Sequence, residues 1–326
     1  MALLLTRADV QAALTMADAI AAVEEAFRQQ QQGTAQLPLR TPIRIPQHHG
    51  LVLFMPAYIG GMDALGMKVV TVYPDNPSQH GLPTILATVL LNDPRTGQLL
   101  AIMDGAYLTA MRTGAASGVA TKYLARPDAR VVGIFGAGIQ ARTQLMAMVA
   151  VRPITAARVY DPRADLADAF CREMSQALGI SCVAVAEPRA AVEGCDIIIT
   201  ASTSKTPVFD GQWLAPGTHI NGVGSHSPDA RELDSLTIRR SKVVVDLRSA
   251  ALAEAGDLII PINAGEITAD HIRAELGEIV AGAPGRSQAD EITLFKSVGL
   301  AIQDVSTATR VYELARQKGI GQEIHL

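Results

Sequence analysis

The residues whose types and spacing are most specific for chemistry run from Arg130 to Asp161. Val131 to Phe135 is a short apolar run suited to a buried parallel strand. It ends in Gly136-Ala-Gly138-Ile139-Gln140-Ala141, after which a helical pattern begins. In such a turn Gly136 permits the sharp bend, Gly138 lets the backbone approach a pyrophosphate, and Ala141 keeps helix and strand close. The helix N-terminus offers unpaired N–H groups to the anion. A second apolar run, Ala157 to Tyr160, ends at Asp161, about twenty positions after Ala141, where an acidic side chain meets adenosine ribose hydroxyls. Strand, glycine turn, helix, second strand and terminal acid, in that order, point to a nicotinamide- or flavin-type dinucleotide. Asp161 would repel the 2′-phosphate of NADP, which favours NAD. Arg163, two residues on, could pair with that phosphate if the Asp turned away, so NADP stays open.

Four further residues carry usable chemistry. Lys68 lies in the alternating run Gly66-Met-Lys-Val-Val-Thr-Val and Arg44 in Arg40-Thr-Pro-Ile-Arg-Ile-Pro. By pattern alone the first reads as a solvated strand lysine and the second as a surface ion-pair partner. Arg112 is less easily dismissed, because it interrupts a helix of small residues between Leu108 and Leu124. His226 stands on the glycine-rich segment Gly222-Val-Gly-Ser-His beyond a strand end. It reads either as a proton-exchanging imidazole or as a loop histidine bonded to backbone. His48 and His49 lack a carboxylate or thiol at ligand spacing, so no metal site is expected. Cys171, Cys182 and Cys195 are odd in number and lack CxxC spacing; they read as buried small apolar residues.

The elements that must position these groups follow from periodicity. A surface helix is expected over 7–32. From 37 to 103 short strands follow one another without intervening helices, which predicts an antiparallel sheet. A tightly packed helix bridges 104–124. After Asp161 the pattern is a helix at 163–178, a strand at 182–185, a helix at 187–194, then strands at 196–201, 218–224 and 242–247. This alternation predicts a Rossmann doubly wound parallel α/β sheet beside a second α+β domain, with ligands beyond the strands' carboxyl ends. Phe295 opens a turn that becomes an amphipathic helix, able to pack back on the first domain. The domains expected are 1–113 with 301–326 for substrate binding and dimerisation, and 114–300 for the dinucleotide.

Composition narrows the field. The chain has 326 residues, 48% hydrophobic and 18% charged, with a formal charge of −4, which leaves no basic field for nucleic acid or an anionic membrane. The three-leucine run near the N-terminus is too short for a signal peptide, and no stretch has the apolar length of a spanning helix. A cytoplasmic protein is expected.

The order Gly66-Met-Lys68-Val-Val-Thr-Val, Gly81-Leu-Pro-Thr84, Met103-Asp-Gly, Thr109-Ala-Met-Arg112-Thr-Gly, Gly136-Ala-Gly138-Ile-Gln140, Ile220-Asn-Gly-Val-Gly-Ser-His and Phe295-Lys-Ser297-Val298-Gly299-Leu-Ala-Ile-Gln-Asp304 resembles the ornithine cyclodeaminase/mu-crystallin family over nearly the whole chain. Within it, Leu51-Val-Leu-Phe-Met-Pro-Ala-Tyr-Ile and Glu291-Ile-Thr-Leu-Phe are most similar to the alanine dehydrogenase and cyclic ketimine (pyrroline-carboxylate) reductase branches. The resemblance implies a homodimer with NAD(P) held by the second domain. It places Arg44, Lys68 and Arg112 around the substrate carboxylate and reacting nitrogen, with Val298 beside them. Thr84 and Arg112 match cofactor and phosphate contacts, Ile139 and Gln140 the glycine loop, Asp161 the ribose and Ala201 the adenosine. Val223, Ser225, His226 and Ser297 fall near the nicotinamide. The cyclodeaminases carry a catalytic acidic residue where this chain has His226, and Asp229 lies three positions away. The function expected is therefore NAD(P)H-dependent reduction of an α-imino acid, either a cyclic ketimine such as 1-pyrroline-2-carboxylate or the imine of a 2-oxo acid and ammonia. Lys68, Arg112 and His226 are the catalytic candidates. The alternatives are an ornithine cyclodeaminase and a non-catalytic, crystallin-like NAD(P)-binding protein.

Overall fold

From Gly50 to Asp104 apolar residues recur at every second position, and the chain forms four long antiparallel strands, Gly50–Ile59, Ala64–Val72, Ile85–Asn92 and Leu99–Asp104. Met55, Ala57, Val70, Val89, Leu91, Ala101 and Met103 point to one face and are buried. The helices Met16–Gln31 and Ala301–Lys318 pack on each other and on these strands, closing the core with Val23, Phe27, Ile302 and Val305. The computed structural model describes Met1–His325, and these elements belong to the first of two compact units, Met1–Arg112 with the chain from Leu300 onward.

Two local expectations change here. The helix over 7–32 is two helices, Arg7–Ala13 and Met16–Gln31, because Thr15 adopts an extended conformation and its hydroxyl caps the second helix at Asp18 N. The sheet is also not purely antiparallel. Ala2–Leu5 pairs parallel with Leu99–Asp104 and antiparallel with Gln322–Ile324. A four-residue strand has no periodicity to read; its neighbours make it a strand.

The second unit, Thr113–Gly299, is a parallel sheet. Its order is Ser181–Ala184, Ala156–Tyr160, Val131–Phe135, Ile197–Thr200, His219–Gly222, Ile292–Lys296, Ser241–Val245, Ile272–Glu275. The order reverses beside Val131–Phe135: the chain steps outward through the next two strands, then returns to the other side at Ile197. This is the doubly wound arrangement read from the sequence. Two strands escaped that reading. Ile292–Lys296 lies where only a turn was expected at Phe295, and all five of its residues are buried between neighbouring strands, which erases alternation. Ile272–Glu275 is a short edge strand. The helix expected at 187–194 is a single 3-10 turn, Pro188–Ala191. In the helix Gly105–Leu124 the small residues do allow the close packing expected, since a side chain on Gly114 would come within 2.5 Å of the Thr143 carbonyl oxygen. Cys171 and Cys195 are buried, but Cys182 is only half-buried on the edge strand Ser181–Ala184. Among the described residues there is no helix long and apolar enough to cross a membrane and no group of three potential metal ligands.

Candidate active site

The dinucleotide-type residues of the second unit gather at the carboxyl ends of adjacent strands. Gly136 follows Val131–Phe135 at the reversal of strand order. Its φ of 96° favours glycine, and a side chain there would come within 2.7 Å of the Ala201 carbonyl oxygen. The space at Gly138 is open, and no side chain caps the helix Ile139–Val151 that it begins. Arg142 reaches back from that helix to the carbonyls of Ala137 (2.7 Å) and Gly138 (3.1 Å), so the loop's oxygens are engaged from within. The first-turn N–H groups are left for an anion. Asp161, at the end of the neighbouring strand, accepts from Ala137 N (3.0 Å) and Arg163 N (3.0 Å) and so is tied to the loop. Arg163 is exposed, its Nε 3.8 Å from the carboxylate. Ile139 is exposed at the helix start, and the side-chain oxygen of Gln140 is buried without a partner. Open space at Gly138, an uncapped helix of thirteen residues and a tethered acid suit a pyrophosphate and its ribose.

Across the sheet the same edge carries Ala201, then Val223, Ser225 and His226, then Ser297 and Val298. From Asp161 to Ser297 is four strand spacings, about 19 Å at roughly 4.8 Å each, which matches an extended dinucleotide. Two buried carboxylates, Glu232 and Asp246, shape this edge. Glu232 accepts from Ser202 N (2.7 Å), Ser202 Oγ (2.6 Å) and Gly224 N (2.8 Å), tying the loop after Ile197–Thr200 to the loop after His219–Gly222. Burial raises its pKa, with Lys296 and the Ser202 hydroxyl opposing. Asp246 accepts from Ser297 Oγ (2.9 Å), Val298 N (2.8 Å) and Gly299 N (2.8 Å), fixing the third loop. Ser225 donates its hydroxyl to Ala230 O, and its carbonyl accepts from Lys296 Nζ, which also meets Asp257 at 2.8 Å. His226 is exposed with Nδ1 3.3 Å from Gly224 O, and Asp229 is exposed and engaged by the Ser227 hydroxyl.

The first unit supplies a different cluster. Lys68, in the middle of Ala64–Val72, is 2% exposed, far from the solvated lysine of the pattern reading. Its Nζ lies 2.9 Å from both carboxylate oxygens of Asp304, in the first turn of Ala301–Lys318. Arg112 donates to the same carboxylate from Nε (2.8 Å) and to Gln303 Oε1 from Nη1 (2.7 Å). Burial brings the Lys68 ammonium down to about 8; Asp304 resists, while Arg112 and Arg40 push the same way as burial. Two buried cations therefore share one buried acid. Arg44 pairs with Leu51, which pairs with Val72, so by register it shares the sheet face of Lys68, but it is exposed and no contact joins the two. Thr84 lies at the start of Ile85–Asn92, its carbonyl accepting Tyr73 N. Asp304 and Arg40 were missed as site residues: Asp304 is 236 positions from Lys68, and local spacing carries no signal across that distance.

The whole chain has known relatives. The model of the ornithine cyclodeaminase/mu-crystallin family matches residues 1–319. The structure of Thermococcus litoralis Delta(1)-pyrroline-2-carboxylate reductase in complex with NADH and L-proline is similar with 52% identity and a TM-score of 0.95, covering 99% of this chain and 100% of that one. An archaeal alanine dehydrogenase dimer with bound NAD is similar with 39% identity and a TM-score of 0.93, covering 100% and 99%. The alanine dehydrogenase of Archaeoglobus fulgidus is 40% identical over 323 residues, 99% of this chain and 98% of that protein.

Proposed function

The chain belongs to the ornithine cyclodeaminase/mu-crystallin family, and on that premise we propose that it is an NAD(P)H-dependent reductase of α-imino acids, cyclic ketimines such as 1-pyrroline-2-carboxylate foremost, with the imine of a 2-oxo acid and ammonia as the open-chain equivalent. The observation that carries the reading is the buried pair Lys68 and Arg112 with Asp304 as their shared acid. A cationic excess in a water-poor site is a receptor for one further anion, and the carboxylate of an imino acid supplies it. The similar structure holding NADH and L-proline supports the same substrate class.

The glycine loop, Ile139, Gln140, Asp161 and the loops bearing Ala201, Val223, Ser225, His226, Ser297 and Val298 would hold the dinucleotide, with Arg163 reserved for a 2′-phosphate. When bound, that group supplies the hydride. The chain's own work is to bind, orient and protonate. Arg112, fixed by Asp304 and Gln303, presents a preorganised donor to the carboxylate, and Arg44 and Arg40 extend the positive field. Lys68, with an ammonium near 8, holds a proton at neutral pH yet yields it more readily than a solvated lysine. It orients the substrate and keeps the imine nitrogen protonated. Iminium substrates bring their own proton, so little acid catalysis is needed from His226. Asp161, with both oxygens already bonded to backbone N–H groups, favours NAD over NADP.

The outer face of the first sheet supports a homodimer. Pro56, Met67, Leu90 and Ile102 stand in one row across four strands, all part-exposed and apolar, with Leu86 beyond them. A second copy of the chain would cover that row. A cytoplasmic setting, where thiols are kept reduced, fits three free cysteines.

The decisive experiment follows the absorbance of reduced cofactor with pyrroline- and piperideine-2-carboxylate, pyruvate with ammonia, and ornithine, each with NADH and NADPH. Stoichiometric loss of NADH with an imino acid is expected. Release of proline and ammonia from ornithine without net cofactor turnover would instead make the protein a cyclodeaminase, and binding of NADH without either reaction would make it a binder.

A further inference from the structure

The site above uses none of the cysteines, yet two of them meet. Cys171 lies on the buried face of the helix Ala164–Leu178 and Cys182 on the edge strand Ser181–Ala184, with their sulfurs 3.1 Å apart and the Cys182 S–H donated to Cys171. The segment joining them is built rather than loose. The helix ends at Gly179 in the left-handed region, Cys182 N donates to Ser175 Oγ (3.1 Å), and the strand pairs in register with Ala156–Val159. Cys182 is half-buried on a strand paired along one side only, so a soluble reagent can reach it, whereas Cys171 is 5% exposed behind it. Cys195 is buried elsewhere, and burial pushes its thiol up to about 11.

We propose that Cys171 and Cys182 form a dithiol modification site that soluble disulfide oxidants, of which oxidised glutathione is the simplest, close into an intrachain disulfide. The first step takes place at the accessible sulfur. The Cys182 thiolate attacks one sulfur of oxidised glutathione, forming a mixed disulfide and expelling a glutathione thiolate. Cys171 then attacks the Cys182 sulfur beside it, the protein disulfide forms, and the second glutathione thiolate leaves. The two thiol protons end on two glutathione molecules; the protein is oxidised by two electrons and the reagent reduced by two. The 3.1 Å between the sulfurs suits Cys171 to the second step, since it already stands beside the sulfur it must attack. Cys171 thus acts as a built-in resolving thiol, and an oxidised sulfur at the edge of the sheet is converted to a reducible bond rather than left as an adduct. The bond also ties helix to edge strand and removes freedom from the unfolded chain.

The test treats the full-length native protein with oxidised glutathione, alkylates what remains free and reads intact mass and linked peptides. The expected product has lost about 2 Da, links the peptides of Cys171 and Cys182, leaves Cys195 alkylated, melts roughly 5 °C higher, and reverts with dithiothreitol. Cys171→Ser should instead accumulate the glutathione adduct on Cys182. A lasting adduct on Cys182 in the unmutated protein would overturn the proposal. So would three thiols that stay free while the same reagent links the unfolded chain.

Discussion

Among the described residues two lysines, Lys68 and Lys296, lie wholly buried, each against an aspartate, in surroundings of opposite charge balance. In the first unit Lys68 and Arg112 share the single carboxylate of Asp304. In the second, Lys296 serves two acids, 2.8 Å from Asp257 and within the field of Glu232, and donates to Ser225 O at 2.6 Å. The acids of the second cluster are completed by backbone: Asp257 accepts from Glu232 N and Leu233 N, Glu232 from Ser202 and Gly224. Nothing further is asked of that cluster, and it holds loops in place. In the cationic cluster Lys68 and Arg112 outnumber their acid by one charge, and on the proposed reading an anionic ligand completes it. The balance of charge around a buried lysine, more than burial itself, separates a receptor from a structural pin.

Substituting each lysine tests the contrast most strongly. Lys68→Met should lower kcat/KM for an imino acid by about 10³-fold, in the range of losing one preorganised donor. Arg112 still neutralises Asp304 in that variant, so the melting temperature should hold; near-normal turnover would show that the excess charge is not the carboxylate receptor. Lys296→Met leaves two carboxylates without their cation and should cost about 3–5 kcal/mol of stability, read by denaturant unfolding. A loss as small as that of Lys68→Met would erase the distinction. The titration of Lys68 gives the next effect. The protonated form binds the carboxylate, so kcat/KM should fall as pH rises through about 8, by about tenfold per pH unit above it. A profile flat from pH 7 to 9.5 would remove Lys68 from that role. The smallest effect is Glu232→Gln, which keeps an acceptor for Ser202 but turns an amide toward Gly224 N. NADH affinity measured by fluorescence should weaken about tenfold, at roughly 1–2 kcal/mol for one mismatched buried bond, with KM for the imino acid little changed. An unaltered NADH affinity would make Glu232 a pin for the loops without consequence for the cofactor.

Much of the second unit was legible because its signals are local. Strand, glycine turn, helix and Asp161 lie within about thirty residues, the length of one βαβ unit, and each position is explained by its neighbours in sequence. Arg112 announced itself as a charge among small residues. Lys68 did not: its alternating strand is the pattern of a half-solvated sheet, and only the covering helix Ala301–Lys318, arriving from the far end of the chain, turns that face into an interior. That distance hid Asp304; the loop-tying role of Glu232, 30 positions from Ser202 and 8 from Gly224, was hidden because it depends on how two loops meet in space. Ile292–Lys296 was missed for a related reason, since a strand buried between two neighbours shows no alternation.

The amino-acid order alone determined that the chain has a doubly wound sheet with a glycine turn at its switch point, because hydrophobic period and turn chemistry act over a few residues. Which charges meet, and in what ratio, was decided only when the chain closed. Coulomb energies and desolvation depend on distances in space, and the acid that defines Lys68 lies 236 positions away from it along the chain.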